Sequence, residues 1–437
     1  MEMLIRNGKI LDGNILRDSV LSIKDGRIHA ILPVDHQPAE SDSNVVDAQG
    51  CWLLPGGIDL HAHIQDGAET FFEGSCAAAK GGITTVIDMP PFKTVTNQKQ
   101  CVSRRDWAEQ QCVCDFGLTG GILIDMEDLA HLDELKQFGI SQVKIFMLSN
   151  PSDELLWKAM QLSVKLRIRL AIHMEDPALL RQVNWNDPID FLKANPPEAE
   201  HVAVARLLEM AHAAGAAVHV CHVSSARSTD LIDSYKGWGT AVTAETTPHY
   251  LILNEDHFQA DPQHCLVTPV LRTSWDNAIL WQALQNGVLD AIVSDHFLGT
   301  LPEQPTPSHL KDIEPGIAGL ELSIPLIYHF GVREGKLSMI RFVESMSTAP
   351  ARLLGVDQRK GQLQPGMDAD IVFLDLQKEW DVAPLGRSSR IPNLPYQGWH
   401  LQGYITRSLV RGKEVWNGKE ITGEAGWGNY VPASSAD

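Results

Sequence analysis

The chain is 437 residues long, with 36 lysines and arginines against 55 acidic residues and a formal net charge of −19. A polyanion needs a basic footprint that this composition lacks, so nucleic acid is excluded as a partner. No run of apolar residues is long enough for a spanning helix, so a membrane partner is excluded on the same reading. At 44% hydrophobic and 21% charged, the chain has the balance of a globular protein with a large core.

The first thirteen residues, MEMLIRNGKILDG, lack the apolar centre of a secretory signal, which points to a cytoplasmic protein. Seven scattered cysteines without a CxxC pair read as reduced thiols. Residues 1–55 alternate β-rich runs with DG and NG turns, and the same texture returns in DADIVFLDL and ITRSLVRGKEVWNGKEI. The two ends, 1–55 and 356–437, are expected to form one small β-sandwich domain.

Between them, residues 56–355 alternate apolar β-rich runs with helical patterns. The runs are IDLHAHI, TTVIDMP, FGLTGGIL, QVKIFML, RLAIHME, AVHVCHV, TAETTPHYLIL and DAIVSDH. Eight strands buried on both faces and joined by crossover helices predict an α/β fold, a (β/α)₈ TIM barrel. In NPPEAEHVAVARLLEMAHAAG, Asn195 is the expected N-cap, Val202, Ala205, Leu208 and Ala211 the buried face, and Gly215 the stop. Two proline-rich connections, LGTLPEQPTPSHLKDIEPGIAG and SSRIPNLPYQGWHLQG, are unusually long; the first follows the eighth strand, where substrate gates tend to lie.

The polar residues at the ends of these runs share one theme. His61 and His63 are two apart in a strand, so both imidazoles face one side and can reach one metal ion. His173, His222 and Asp295 each follow an apolar run into the barrel mouth. Lys144 lies inside the apolar run QVKIFML, where an ammonium is costly to bury. It is either a strand-end lysine that extends its amine to water or a neutral amine that reacts with CO₂ to form a carbamate able to bridge two metals. Two divalent ions facing one carboxylate, one carbamate and one hydroxide leave about one net positive charge, suited to stabilising an oxyanion.

In family order the chain carries PGGIDLHAHI, AAAKGGITTVIDMP, VKIFM, HMEDPAL, NPPEAE, VHVCHVSSA, AETTPHYLIL, VLR, DAIVSDH, GIAGLE and KGQLQPGMDADIVFLD. On these it resembles the cyclic-amide branch of the amidohydrolase superfamily, which contains dihydroorotases, allantoinases and hydantoinases or dihydropyrimidinases. The resemblance implies two divalent ions per chain: zinc first, with iron, cobalt or manganese as alternatives. His61, His63 and Asp295 would hold one, His173 and His222 the other, with Lys144, carboxylated by CO₂, as bridge. It further implies that a bridging hydroxide attacks the ring amide while Asp295 takes its proton and passes it to the leaving nitrogen. With all six positions intact, a catalytically silent scaffold is the weaker reading. The same resemblance implies a homodimer or homotetramer.

Substrate choice rests on departures from the family pattern. Dihydroorotases hold a substrate carboxylate with an arginine two residues beyond HxH, an asparagine after DMP and a histidine in DHAPH; here Gln65, Pro91 and Gly299 stand instead, and none pairs with a carboxylate as arginine does. Hydantoinases carry a tyrosine after the lysine segment, absent from KIFMLSN, and CPQY where this chain has Thr247 to Tyr250. The VSSA element, PGIAGL and the Tyr396-Gln397-Gly398 spacing to Gly403 match allantoinases better, although HIQDGAET lacks their EPG or DPG turn and DHFLG the proline common after DH. The expected reaction is hydrolysis of a small neutral cyclic ureide or related cyclic amide, with dihydroorotase or hydantoinase chemistry as alternative. Gln65, Thr268, Arg272 and Gly299 are candidate substrate contacts. His249 and His296 are expected behind the ligands, and Asp176 either orients His173 or caps the following helix.

Overall fold

The computed structural model describes residues 2–12, 15–36, 44–91, 94–185, 187–299, 307–383 and 394–433. Strands β1 (Glu2–Asp12), β2 (Ile15–Lys24), β3 (Arg27–Leu32), β4 (Val45–Asp47) and β5 (Trp52–Pro55) come first. Asp25 and Gly26 both have positive φ, the conformation that lets a two-residue turn join twisted strands, and they link β2 to β3.

Eight parallel strands follow in two stretches. The first is β6 (Gly57–Ala62), β7 (Ile83–Asp88) and β8 (Asp115–Leu118); the second runs through β9 (Gln142–Phe146), β10 (Arg169–His173), β11 (Val218–Val220), β12 (Val242–Thr246) and β13 (Ala291–Ile292). Two seams join the stretches. At one, Gly120 N donates to Gln142 O at 2.9 Å and Lys144 N to Gly120 O at 3.1 Å; at the other, Asp295 N donates to His61 O at 2.9 Å and His63 N to His296 O at 2.8 Å. The parallel bridges Gly120 to Val143 and Ala62 to His296 therefore close the eight strands into a ring. Glycine at 120 permits this close approach, since a Cβ there would stand 2.5 Å from Val143 Cγ1 and force a shift. Each of the eight runs expected from the sequence overlaps one of these strands, although TAETTPHYLIL leaves β12 at Thr246 and turns into a short helix, Pro248–Ile252.

β14 (Ile371–Asp381), β15 (His400–Val410) and β16 (Lys413–Trp416) return to the first sheet, in the order β16-β15-β14-β5-β1-β2-β3 with β4 also on β1. β14 runs antiparallel to β5, so residues more than 300 positions apart share one ladder: Phe373 opposes Leu53. This sheet has its own core of Ile5, Ile10, Leu21, Leu53, Ile371 and Phe373.

The helix Pro197–Ala214 corrects the sequence reading in two places. Asn195 closes the preceding helix, Pro188–Ala194, and its Nδ2 donates to Phe191 O at 2.8 Å; the cap residue of the longer helix is Pro196. The buried face is Ala199, Glu200, Ala203, Val204, Leu207, Leu208 and Ala211, while Val202 is exposed. Glu200 accounts for the offset: its carboxylate accepts the N–H groups of Ser224 and Ser225 at 3.3 and 3.2 Å, which turns an acid inward and Val202 outward. Gly215 does end the helix, at φ 69°.

Barrel and sheet meet over a buried ion cluster. Lys360 Nζ donates to Asp115 Oδ2 at 2.7 Å and Asp370 Oδ2 at 2.6 Å, and Arg411 pairs with Asp115. The three aspartates Asp115, Asp368 and Asp370 converge as a metal site would, but the lysine amine already sits among them. Replacing it leaves buried carboxylates uncompensated, so Lys360→Met is expected to cost about 3–5 kcal/mol, read as a lowered urea midpoint with an unchanged slope.

Candidate metal centre

The metal-ligand candidates gather at the C-terminal mouth of the barrel. His61 Nε2 lies 3.2 Å and His63 Nε2 3.6 Å from Asp295 Oδ1, and the three residues can share an ion. His173 Nδ1 lies 3.0 Å from His222 Nε2, a second pair of facing donors. Lys144 Nζ sits between the two groups, 3.4 Å from His61 Nε2 and 3.3 Å from Cys221 Sγ. His222 and Asp295 adopt φ of 34° and 45°, left-handed conformations costly for residues with a Cβ and typical of side chains aimed by function.

The protonation states suit ligation. Burial holds His61 below its ordinary value, and burial with the neighbouring His173 holds His222 well below. Both are neutral imidazoles with a lone pair to give. Burial opposes ionisation of Asp295, but His61 and His63 outweigh it and hold the carboxyl below its usual range. The donor set, four imidazoles with one carboxylate and a lysine amine, fits divalent transition ions.

Behind the donors stand residues that the sequence reading did not single out. His61 Nδ1 is 2.6 Å from Glu245 Oε1, and Glu245 Oε2 is 2.9 Å from His219 Nε2. Burial works against this carboxylate, yet the two imidazoles keep it well below the usual range. An ionised carboxylate only accepts, so the proton sits on His61 Nδ1 and the Nε2 lone pair points into the centre. His63 Nδ1 is 3.0 Å from Asp66 Oδ2. Glu175, not Asp176, orients His173, with Oε2 2.9 Å from Nε2; Asp176 instead accepts from Ala178 N and caps the following turn. Asp59 Oδ1 accepts His61 N–H and Oδ2 accepts Ser294 N–H, each at 3.0 Å, tying together the two strands that carry the first donor group. Spacing carried part of this signal, since Glu175 is two residues from His173 and Asp66 three from His63.

A cavity of about 440 Å³ opens above these donors. Met89, Pro90, Ile122, Phe146, Leu148 and Phe297 give it apolar walls, with Thr268 on one side and Glu314 at its rim. Of the four candidate substrate contacts, Thr268 alone lines it. Gln65 Oε1 accepts Phe71 N–H at 3.2 Å at the start of the helix Phe71–Lys80, so its amide is engaged in capping. Arg272 is buried behind His173, donating to Asn195 O at 2.6 Å and Ser224 Oγ at 3.2 Å. Gly299 is buried in the backbone beyond Phe297. Pro91 reaches the cavity, as does Pro315 of the expected gate, whose residues 300–306 lie outside the described residues, as do 388–393 of the second proline-rich connection. His296 Nε2 is 2.6 Å from Glu69 Oε1, and His249 is buried with Nε2 unpaired, both outside the donor groups.

A ring of parallel strands with imidazole, carboxylate and lysine donors at one mouth defines a TIM-barrel hydrolase of the metal-dependent type. The amidohydrolase family model matches residues 52–415, and the chain belongs to that family. It is 33% identical to an allantoinase of Streptomyces avermitilis over 97% of each chain, and 32% identical to a dihydroorotase of Elusimicrobium minutum over 94% of this chain and 97% of that one. Among solved structures, a dihydropyrimidinase from Brevibacillus agri superposes with a TM-score of 0.90 at 29% identity, covering 99% of both chains.

Because Glu245 fixes the tautomer of His61, Glu245→Gln is expected to weaken binding of a divalent ion, with zinc as the probe, about 10- to 100-fold. Equilibrium dialysis measures this directly, and unchanged affinity would leave Glu245 a partner of His219 only.

Proposed function

We propose that this protein hydrolyses a ring amide C–N bond in a small neutral cyclic ureide, as an allantoinase does. The observation that carries the choice of substrate is the cavity wall: among its described residues the one cation is Lys144, which lies with the metal donors at the cavity floor. A substrate carboxylate would find no guanidinium there to pair with. Identity to the allantoinase and to the dihydroorotase is nearly equal, and the lining is what favours the first reading.

His61, His63 and Asp295 would hold one divalent ion and His173 and His222 a second, with carboxylated Lys144 between them. Bound there, the ions supply Lewis-acid polarisation of the ring carbonyl and an acidified water. Asp295, ionised and beside both His61 and His63, accepts the proton of the attacking water on its carboxylate and returns it to the ring nitrogen as the C–N bond breaks. The apolar walls exclude other water and orient a flat ring over the donors. Lys144, at 3% exposure, is shielded well enough for its amine to remain carboxylated. We place the enzyme in the cytoplasm, in keeping with its seven free, buried cysteines.

A panel of allantoin, dihydroorotate, hydantoin and dihydrouracil tests the reading: kcat/KM should be highest for a neutral ring, and preference for dihydroorotate would overturn it. Asp295→Asn should lower kcat by about 10²- to 10⁴-fold. A crystal of metal-loaded protein should show Lys144 carboxylated, and an unmodified amine beside two bound ions would rule out its bridging role.

A further inference from the structure

The four imidazoles are backed unequally. His61 has Glu245, His63 has Asp66 and His173 has Glu175, but His222 Nδ1 is buried with no acid behind it. To present Nε2 to an ion, His222 must carry its proton on Nδ1, where no well-placed acceptor waits, and a buried unmet donor is unfavourable. Glu175 is itself loosely held: its Oε1 has no hydrogen bond and lies 3.8 Å from Arg272 Nη2, which is also unmet.

Asp66 is held from outside the barrel mouth. Arg104, on the helix Gln98–Glu109 and nine-tenths buried, donates from Nε and Nη2 to Asp88 at 2.8 and 3.0 Å. The same Nη2 donates to Ile64 O at 2.9 Å and reaches Asp66 Oδ1 at 3.5 Å, while the guanidinium lies 4.8 Å from the Phe71 ring centroid. One side chain thus anchors the backbone at Ile64 and holds a positive charge 3.5 Å from the acid behind His63.

We infer that Arg104 is a positioning residue of the metal centre, acting through Asp66 on His63, and that this backing makes the His61, His63 and Asp295 position retain its ion longer than the His173 and His222 position. The inference rests on the two-ion reading above. The first position has two acid-backed imidazoles and a carboxylate; the second has one acid-backed imidazole and one that must orient itself. An outer carboxylate behind a ligating histidine is worth about 10- to 100-fold in affinity, so the two positions should separate by at least tenfold.

The test uses full-length protein loaded with cobalt(II), dialysed against a chelator, with ions per chain counted over time and the visible cobalt spectrum followed in parallel. Wild type should lose one ion in a fast phase and the other about tenfold more slowly. Asp66→Ala and Arg104→Met should accelerate the slow phase and shift the spectrum of the retained ion while sparing the fast phase, and Arg104→Lys should restore retention in part. If Arg104→Met fails to fold, Asp66→Asn, which keeps an acceptor but not the charge, carries the comparison. Two ions leaving at one rate, or an Asp66→Ala variant that accelerates only the fast phase, would overturn the inference and leave the two-ion reading standing. A protein that never takes up more than one ion would overturn both.

Discussion

The carboxylate of Glu245, about 1% exposed between His61 and His219, is the contact on which the centre depends. A buried charge survives only when paired, and here the pairing has a direction: each imidazole gives an N–H to the acid, and His61 is left with its lone pair facing inward. That lone pair stands beside Asp295 and Lys144, so one acid on β12 sets the face that His61, on β6, turns toward them. Removing the acid would leave His61 free to take the other tautomer, with a hydrogen where an ion must bind.

The closure of the barrel supplies the rest of the geometry. The seam between β6 and the residues after β13 runs through the backbone of the donors themselves, with Asp295 N bonded to His61 O and His63 N to His296 O. Asp59 clamps both sides of this seam, and burial pushes its carboxyl up to about 7 despite the N–H groups it accepts. The positive φ at Asp295 follows from the need to bond into the seam and still turn its carboxylate toward two imidazoles.

How much of this was legible in the sequence depended on the range of the interaction. Strand alternation is local, so the eight apolar runs marked the eight barrel strands, and polar residues in five of those runs supplied the candidate donors. The acids behind them were not visible in the same way, because His61 and Glu245 are 184 positions apart and meet only once the ring closes. Arg104 offered no signal at all: a basic residue in a polar helix reads as a solvated face, yet it is buried against Asp88 and Phe71. Val202 and Asn195 were misread because apolar periodicity ignores an inward acid such as Glu200, and capping preference ignores a short helix ending just upstream. Gln65 and Arg272 were chosen by their place in the family pattern, and their side chains are engaged in structure instead.

The acidity of the chain connects to the cavity through charge rather than through any contact. At −19 the protein repels anions at a distance, and the cavity does not reverse this close in, since Glu314 stands at its rim and Asp66 inside, with apolar side chains between. On the proposed reading, positive charge at the cavity floor would come from divalent ions held by the donors, offset by Asp295 and a carboxylated Lys144, where negative charge develops on the substrate carbonyl. A neutral ring crosses the outer field without penalty and meets attraction only at the atom that must be polarised. A carboxylated ring would be repelled on approach and, once inside, would compete for the ions with its carboxylate instead of its amide. The field thus favours the same neutral substrate class as the lining of the cavity.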